Sequence, residues 1–165
     1  MPFTVHQYAS GEPIDADVAK LLVDVFVGEH YSPRRGAAYL TAAALSRRGM
    51  AWVARANDTS DAVGTVFLVT PDNAFRQIAV EGELEVHLLA VRPSARRQGV
   101  ADALLTACLA EARRQQTARV VLSTQPVMIA AQRLYEKHGF VRAPERDWRR
   151  ADERSFLAYQ LHLYP

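Results

Sequence analysis

The segment Arg96-Arg97-Gln98-Gly99-Val100-Ala101 carries the residue types of an anion site, standing between a strand-like run and an amphipathic run. The first backbone N–H groups of a helix have no partners inside it and point toward its N-terminus, where the helix dipole adds positive potential. Gly99 and Ala101 keep side-chain bulk away from those amides, so a pyrophosphate can approach them, and Arg96 and Arg97 add charge. A plain pre-helix turn flanked by solvated arginines would use the same residues, and the segment alone leaves both readings open. Its spacing excludes the three-glycine dinucleotide fingerprint and the phosphate loop that ends in Gly-Lys-Ser/Thr. Upstream, Glu85 and His87 stand two residues apart in a strand-like run, so they share a face and can relay a proton. A solvated polar face is the competing reading, and Glu83 is a second carboxylate at the entrance of the same run.

These residues need elements to hold them. Phe3 to Gln7 alternates as a first strand, broken by Gly11-Glu12-Pro13. A helix capped by Asp15 follows, with Val18, Leu21, Leu22, Val25 and Phe26 on one face and a stop at Gly28. A second helix is expected within Tyr31 to Arg48, turning Tyr39, Leu40, Ala43 and Ala44 inward. Met50 to Ala54 and Val63 to Thr70 read as an antiparallel hairpin around the turn-rich Ala56 to Asp61. After a loop from Pro71 to Ile78, Leu84 to Val91 forms a strand ended by Pro93, and Val100 to Gln115 forms a long helix with Ala101, Leu104, Leu105, Cys108 and Ala112 buried. Arg119 to Ser123 is a short apolar strand whose place after a helix predicts parallel pairing with Leu84 to Val91. Val127 to His138 reads as a helix with Val127, Ala130, Ala131 and Leu134 inward, ended by a left-handed Gly139. Phe140 and Val141 resume a strand, and Ser155 to Leu163 is the last. The layout is α/β with a mixed sheet, in one domain over residues 1–165.

Composition narrows the function classes. A chain of 165 residues with 49% hydrophobic and 23% charged content is ordinary for one globular domain and large enough to do without disulfides. A net charge of +2 gives no general attraction to nucleic acid or membrane surfaces. The N-terminal residues have no basic segment followed by an apolar run, and no stretch reaches a membrane span, so a cytoplasmic protein is expected. The histidines His6, His30, His138 and His162 show no ligand spacing, and no metal is expected. Cys108 falls on the buried stripe of the long helix, which argues for packing rather than an acyl-cysteine intermediate.

Arg96, Gly99 and Ala101 fill the pattern Arg/Gln-x-x-Gly-x-Gly/Ala, and Glu85 to Pro93 resembles a strand that opens on an acidic residue and ends Leu-x-Val-x-Pro. A second block reads Leu134-Tyr135-Glu136-Lys137-His138-Gly139-Phe140. Together they resemble the GNAT N-acetyltransferases, with the specific match confined to Glu83 to Phe140. The resemblance implies a single-domain GNAT-like fold: a mixed, mostly antiparallel sheet with a parallel central pair, flanked by helices. It also implies acetyl-CoA as cofactor and an acetyl group passed by direct attack to a primary amine of a small molecule or peptide. Arg96, Arg97, Gln98, Gly99, Val100 and Ala101 would hold the coenzyme's diphosphate, and the main chain of Leu89, Ala90 and Val91 its pantetheine arm. Glu85 matches the family's strand carboxylate and is the candidate base with His87, while Tyr135 is the candidate acid for the departing thiolate. Where the family usually has an asparagine, this chain has Met128, so a polar contact to the arm is lost or falls to Ser123, Thr124 or Gln125. A non-catalytic acyl-CoA sensor or assembly module is the alternative. Family members are often dimers, and a homodimer is possible here. By the resemblance the acceptor is expected around Val27 to Tyr39, Pro71 to Gln77 and Pro144 to Arg150, while Arg142, Arg146, Arg149 and Arg150, with Trp148, either line the acceptor or the coenzyme's phosphates or form a solvated loop.

Overall fold

Periodicity and breakers place most elements within a residue or two of their positions in the computed structural model, which describes residues 1–164. In chain order these are β1 (Phe3–Tyr8), α1 (Ala16–Leu22), α2 (Ala42–Ser46), β2 (Met50–Ala56), β3 (Ala62–Val69), β4 (Glu83–Val91), α3 (Val100–Arg114), β5 (Arg119–Thr124), α4 (Ile129–Lys137), β6 (Val141–Arg142), β7 (Trp148–Arg149) and β8 (Ser155–His162). The fold is mixed α/β. Its strands pair mostly antiparallel, and β4 with β5 is the expected parallel pair. Among the described residues no helix is long and apolar enough to cross a membrane. Contacts within the chain gather into two compact units, with β3, β4 and α3 each continuing from one into the other.

The first unit comprises residues 1–68 and 88–108. Its core is built from the apolar face of α1 (Val18, Leu21, Leu22), Leu45 of α2, and Val53 and Phe67 of the β2–β3 hairpin, all fully buried. Asp15 occupies the N-cap position of α1 with extended backbone angles, but its carboxylate bonds Tyr8 Oη and Arg55 instead of the helix amides. Beyond Leu22 the helix continues as a π turn over Val23–Val27. Gly28 follows it, and only glycine fits there: a β-carbon would lie 2.2 Å from the Asp24 carbonyl oxygen.

The expected helix over Tyr31 to Arg48 is instead a 3₁₀ turn at Arg34–Tyr39 followed by the short α2. Gly36 weakens a helix interior, and Thr41 is better used as a cap, its Oγ1 accepting from the Ala44 amide at 3.2 Å. Leu40 and Ala44 are buried as expected. Tyr39 is 63% exposed, and Ala43 also faces outward. Gly64 on β3 lets the start of α3 approach, because a β-carbon at that position would meet Val100 Cγ1 at 2.7 Å and Leu104 Cδ1 at 3.0 Å.

The second unit comprises residues 69–87 with the chain from Leu109 onward. The parallel register runs from Glu83 opposite Arg119 to Val86 opposite Leu122, and β8 lies antiparallel on the other side of β5. Both β6 and β7 pair with β8. Two residues, as in β7, are too few to show alternation, so that strand has no sequence signal. Helix α4 starts at Ile129, and its buried residue is Tyr135, packed against Phe140 and Tyr159 at ring separations of 5.9 and 6.2 Å. The expected inward stripe is therefore corrected: Val127 and Ala130 are exposed, and Ala131 and Leu134 are half-buried. Gly139 does take the left-handed conformation, at φ 91°.

Candidate active site

In the first unit, the loop before α3 is shaped by two left-handed residues, Arg97 at φ 62° and Gly99 at φ 81°. Such alternation before a helix turns successive backbone amides into an anion-binding concavity. The α3 ladder begins with the Ala103 amide bonded to the Gly99 carbonyl at 3.0 Å, so the amides before it stand ahead of the helical bonds. A β-carbon on Gly99 would meet no protein atom within 4 Å; glycine is required here by the backbone angle, and the approach to the amides stays clear. Val100 is buried as the first anchor of α3, and Ala101 is half-buried.

The two arginines divide their roles. Arg96 donates through Nε to the Val91 carbonyl at 3.0 Å and pairs with Glu29, so it braces the loop against the end of β4 and the segment after α1. Arg97 is exposed and makes no hydrogen bond or ion pair with any described residue. Gln98 ties the loop down by donating to the Ser94 carbonyl at 3.0 Å. Just upstream, Leu88 takes φ 52°, a left-handed conformation that a bulky residue rarely adopts and that breaks the pleat of β4 before Leu89, Ala90 and Val91. Nothing in the sequence signals it.

In the second unit, Glu85 is fully buried. Its carboxylate accepts from the amides of Gln77 (3.0 Å), Ile78 (3.1 Å) and Ala79 (3.0 Å), and His87 Nε2 lies 3.0 Å from its Oε1. Burial alone would push this carboxyl up; the His87 hydrogen bond and charge, with the Ala79 and Gln77 amides, outweigh it and hold the group below the ordinary 4.5. Glu85 is thus an anion fastened on several sides. Glu83 is buried too, gripped in two-pronged fashion by Arg146 Nη1 and Nη2 at 2.9 and 2.7 Å, with the Val80 amide and Arg119 adding to the hold. Burial opposes ionisation there, and the arginines and amide again win, lowering its pKa. Arg146 also donates to the Ile78 carbonyl at 2.8 Å, so both carboxylates of β4 fasten the stretch Gln77–Val80. The three amides lie 6 to 8 residues from Glu85 and Arg146 lies 63 from Glu83, with no pattern of their own, which is why sequence reading misses them.

Register sorts the remaining groups. Side chains at Glu83, Glu85 and His87 share a face with Arg119, Val121 and Ser123 of β5 and with Ala158 of β8. Trp148 reaches this face, donating from Nε1 to Ser123 Oγ at 2.9 Å while stacked on Phe156 at 4.4 Å. The opposite face carries Leu122, Thr124 and Tyr159, and there α4 sets Tyr135. Within this unit a candidate base and a candidate acid therefore lie on opposite faces of one parallel pair. The basic group near the C-terminus is largely engaged: Arg142 with Asp147, Arg146 with Glu83, Arg149 with Glu153, and Arg150 over the Trp148 ring at 5.4 Å. Cys108 is fully buried in α3. An open depression of about 700 Å³ lined by Asp72, Glu81, Glu83 and Gln115 lies at the amino-terminal end of the β4–β5 pair. Ligands of parallel strands gather at the carboxyl ends, so this depression is given no role.

Against known families, residues 16–140 match the profile of the Acetyltransferase (GNAT) family. The chain belongs to the GNAT acetyltransferase family. The matched stretch contains the Arg96–Ala101 loop, Glu85, His87 and Tyr135, and membership makes acyl transfer its general chemistry. Comparison with curated protein sequences gives no match. Among solved structures, a GNAT-family acetyltransferase from Staphylococcus aureus Mu50 aligns with TM-score 0.73 and 18% identity, covering 99% of this chain and 100% of that one. A Bacillus subtilis acetyltransferase in complex with CoA gives TM-score 0.69 and 18% identity, with 99% and 100% covered. The ribosomal-protein-S18-alanine N-acetyltransferase of Escherichia coli gives 0.62 and 17%, with 99% and 96% covered. At these identities the likeness shows the fold, and this GNAT chain's substrates must be argued from its own residues.

Proposed function

We propose that this protein, acting as one domain, transfers an acetyl group from acetyl-CoA to a primary amine of a small molecule or peptide by direct attack. The buried Glu85–His87 pair carries this reading, because an alkyl amine with a pKa near 10 is protonated at neutral pH and must lose a proton before it can attack. The loop residues suit the coenzyme: the left-handed Arg97 and Gly99 expose the amides that lead into α3, and Arg97 is the cation available to a diphosphate. Bound acetyl-CoA would supply a thioester carbonyl activated toward amines.

His87 removes the proton from the incoming ammonium. Its Nε2 lies 3.0 Å from the Glu85 carboxylate, so the charge the ring gains on accepting a proton is offset by that fixed anion. Glu85 itself, fastened by three amides, orients the ring and stays ionised. The main chain of Leu89, Ala90 and Val91 lines the acyl group's approach after the break at Leu88. Tyr135 Oη gives its proton to the departing sulfur, an exchange only modestly uphill for a phenol near pKa 10 and a thiol near 8.5, and the phenolate is restored by the second proton that the acylated nitrogen sheds. No acyl-cysteine is needed, and buried Cys108 stays in its packing role.

The test is incubation with acetyl-CoA and a broad set of primary amines while free thiol is followed. Amine-dependent thiol release supports the reading. Tight coenzyme binding with no release for any amine would instead make the chain a non-catalytic acyl-CoA binder.

A further inference from the structure

His87 Nε2 lies 3.0 Å from the Glu85 carboxylate, and that carboxylate is pinned by the amides of Gln77, Ile78 and Ala79. Those amides belong to residues 71–82, a stretch with no helix or strand of its own. A segment without a hydrogen-bond ladder opens readily unless side chains tie it down. Arg146 supplies such a tie from across the second unit. Its Nη1 and Nη2 donate to the two Glu83 oxygens at 2.9 and 2.7 Å, and Nη2 also donates to the Ile78 carbonyl at 2.8 Å. Glu83 Oε2 in turn accepts from the Val80 amide at 3.0 Å. Arg146 reaches out from a firm base: it ends the 3₁₀ turn Pro144–Arg146, and Asp147 beside it pairs with Arg142 and accepts from the Ala158 amide of β8 at 2.7 Å. Trp148, one residue further on, stacks on Phe156 of the same strand.

We propose that Arg146 is a positioning residue for the base: by clasping Glu83 and Ile78 it keeps the Gln77–Ala79 amides on Glu85, and so fixes the carboxylate that sets His87. This rests on the reading of His87 as the proton acceptor. Arg146 acts on the amine only through Ile78, Glu85 and His87. The role needs a fork, because a planar guanidinium can meet both Glu83 oxygens and the Ile78 carbonyl together, whereas a lysine ammonium matches the charge as a single point.

The test compares the wild type, Arg146→Lys, His87→Asn and the double variant by amide hydrogen exchange, calorimetric Kd for coenzyme A, and kcat and KM for an acetylated amine. Arg146→Lys should speed exchange at Gln77, Ile78 and Ala79 by about tenfold or more, as loss of a charged hydrogen bond implies. It should lower kcat by about ten- to a hundredfold, with a smaller change in KM and none in coenzyme A affinity. In the His87→Asn background the same change should lower kcat no further, since the two residues act in series. The inference is overturned if exchange or kcat is unchanged, if coenzyme A affinity falls alongside kcat, or if the loss is equal in both backgrounds. Should Arg146→Lys fail to fold, Arg146→Gln combined with Glu83→Gln leaves no buried charge unpaired and carries the same readouts. Wild-type turnover in His87→Asn, or no thiol release by the wild type, overturns the reading of the base together with this inference; equal losses in both backgrounds overturn this inference alone.

Discussion

Glu85 looks like a base in the sequence and behaves like a fixed anion in the fold. Three backbone amides and His87 converge on it, and a carboxylate so well satisfied is a weak proton acceptor. The proton-accepting role therefore falls to His87. Replacing His87 by Asn should lower turnover by roughly 10²–10⁴-fold, the usual worth of a general base, and Tyr135→Phe should lower it by a similar order. Neither change should alter coenzyme A affinity much, and steady-state kinetics beside calorimetry would separate the two effects. Unchanged turnover in either variant would remove that residue from the mechanism. At this scale the motif residues were legible because their types and spacing are local. The amides of Gln77 to Ala79 and the clasp of Arg146 on Glu83 were not, since nothing in their own segments marks them as partners.

Among the elements, β4, α3 and β5 were readable because each has a clean period and a clear breaker, and the helix between the two strands predicted their parallel pairing. Where one residue dominates burial, the pattern misled: α4 turns inward about Tyr135, so the stripe of smaller apolar residues beside it stays near the surface. The stretch after Pro33 failed for another reason, because Gly36 and Thr41 favour a turn and a cap over a continuous helix. Gly64 shows how a strand residue sets the position of the helix that follows the Arg96–Ala101 loop. In Gly64→Ala the new methyl would press on Val100 and Leu104 and lie 3.2 Å from the Ala90 carbonyl oxygen. Overpacking of this kind should cost about 1–3 kcal/mol in urea unfolding. Because Val100 opens α3, coenzyme affinity should fall as well. Unchanged stability would mean that α3 can shift away from β3 at little cost.

For the whole molecule, family membership and fold agree from two directions, with residues 16–140 matched by profile and nearly the full chain matched by structures of low identity. The acceptor was not legible, because the loops that would meet it are held by long-range pairs without a local signature. Two of the buried carboxylates also contribute to how stability depends on pH. Glu83 and Glu85 ionise more readily folded than unfolded, so each stabilises the native state above the ordinary carboxyl value of 4.5, and that contribution is lost as pH falls through the lower folded values. Thermal melts should show little pH dependence from these two groups near neutrality and a falling Tm below about pH 4.5, with a shallower fall in Glu83→Gln. An equally steep fall in that variant would assign the acid limb to other groups.

The proposed acetyl transfer depends above all on the Arg96–Ala101 loop offering its amides to a diphosphate. The most direct measurement is calorimetric titration of coenzyme A into the wild type and into Gly99→Val, whose side chain would force a strained backbone at φ 81° beside those amides. Saturable binding by the wild type, weakened roughly tenfold or more in the variant, is the predicted result. No binding by a folded wild-type chain, or equal affinity in both, would contradict it.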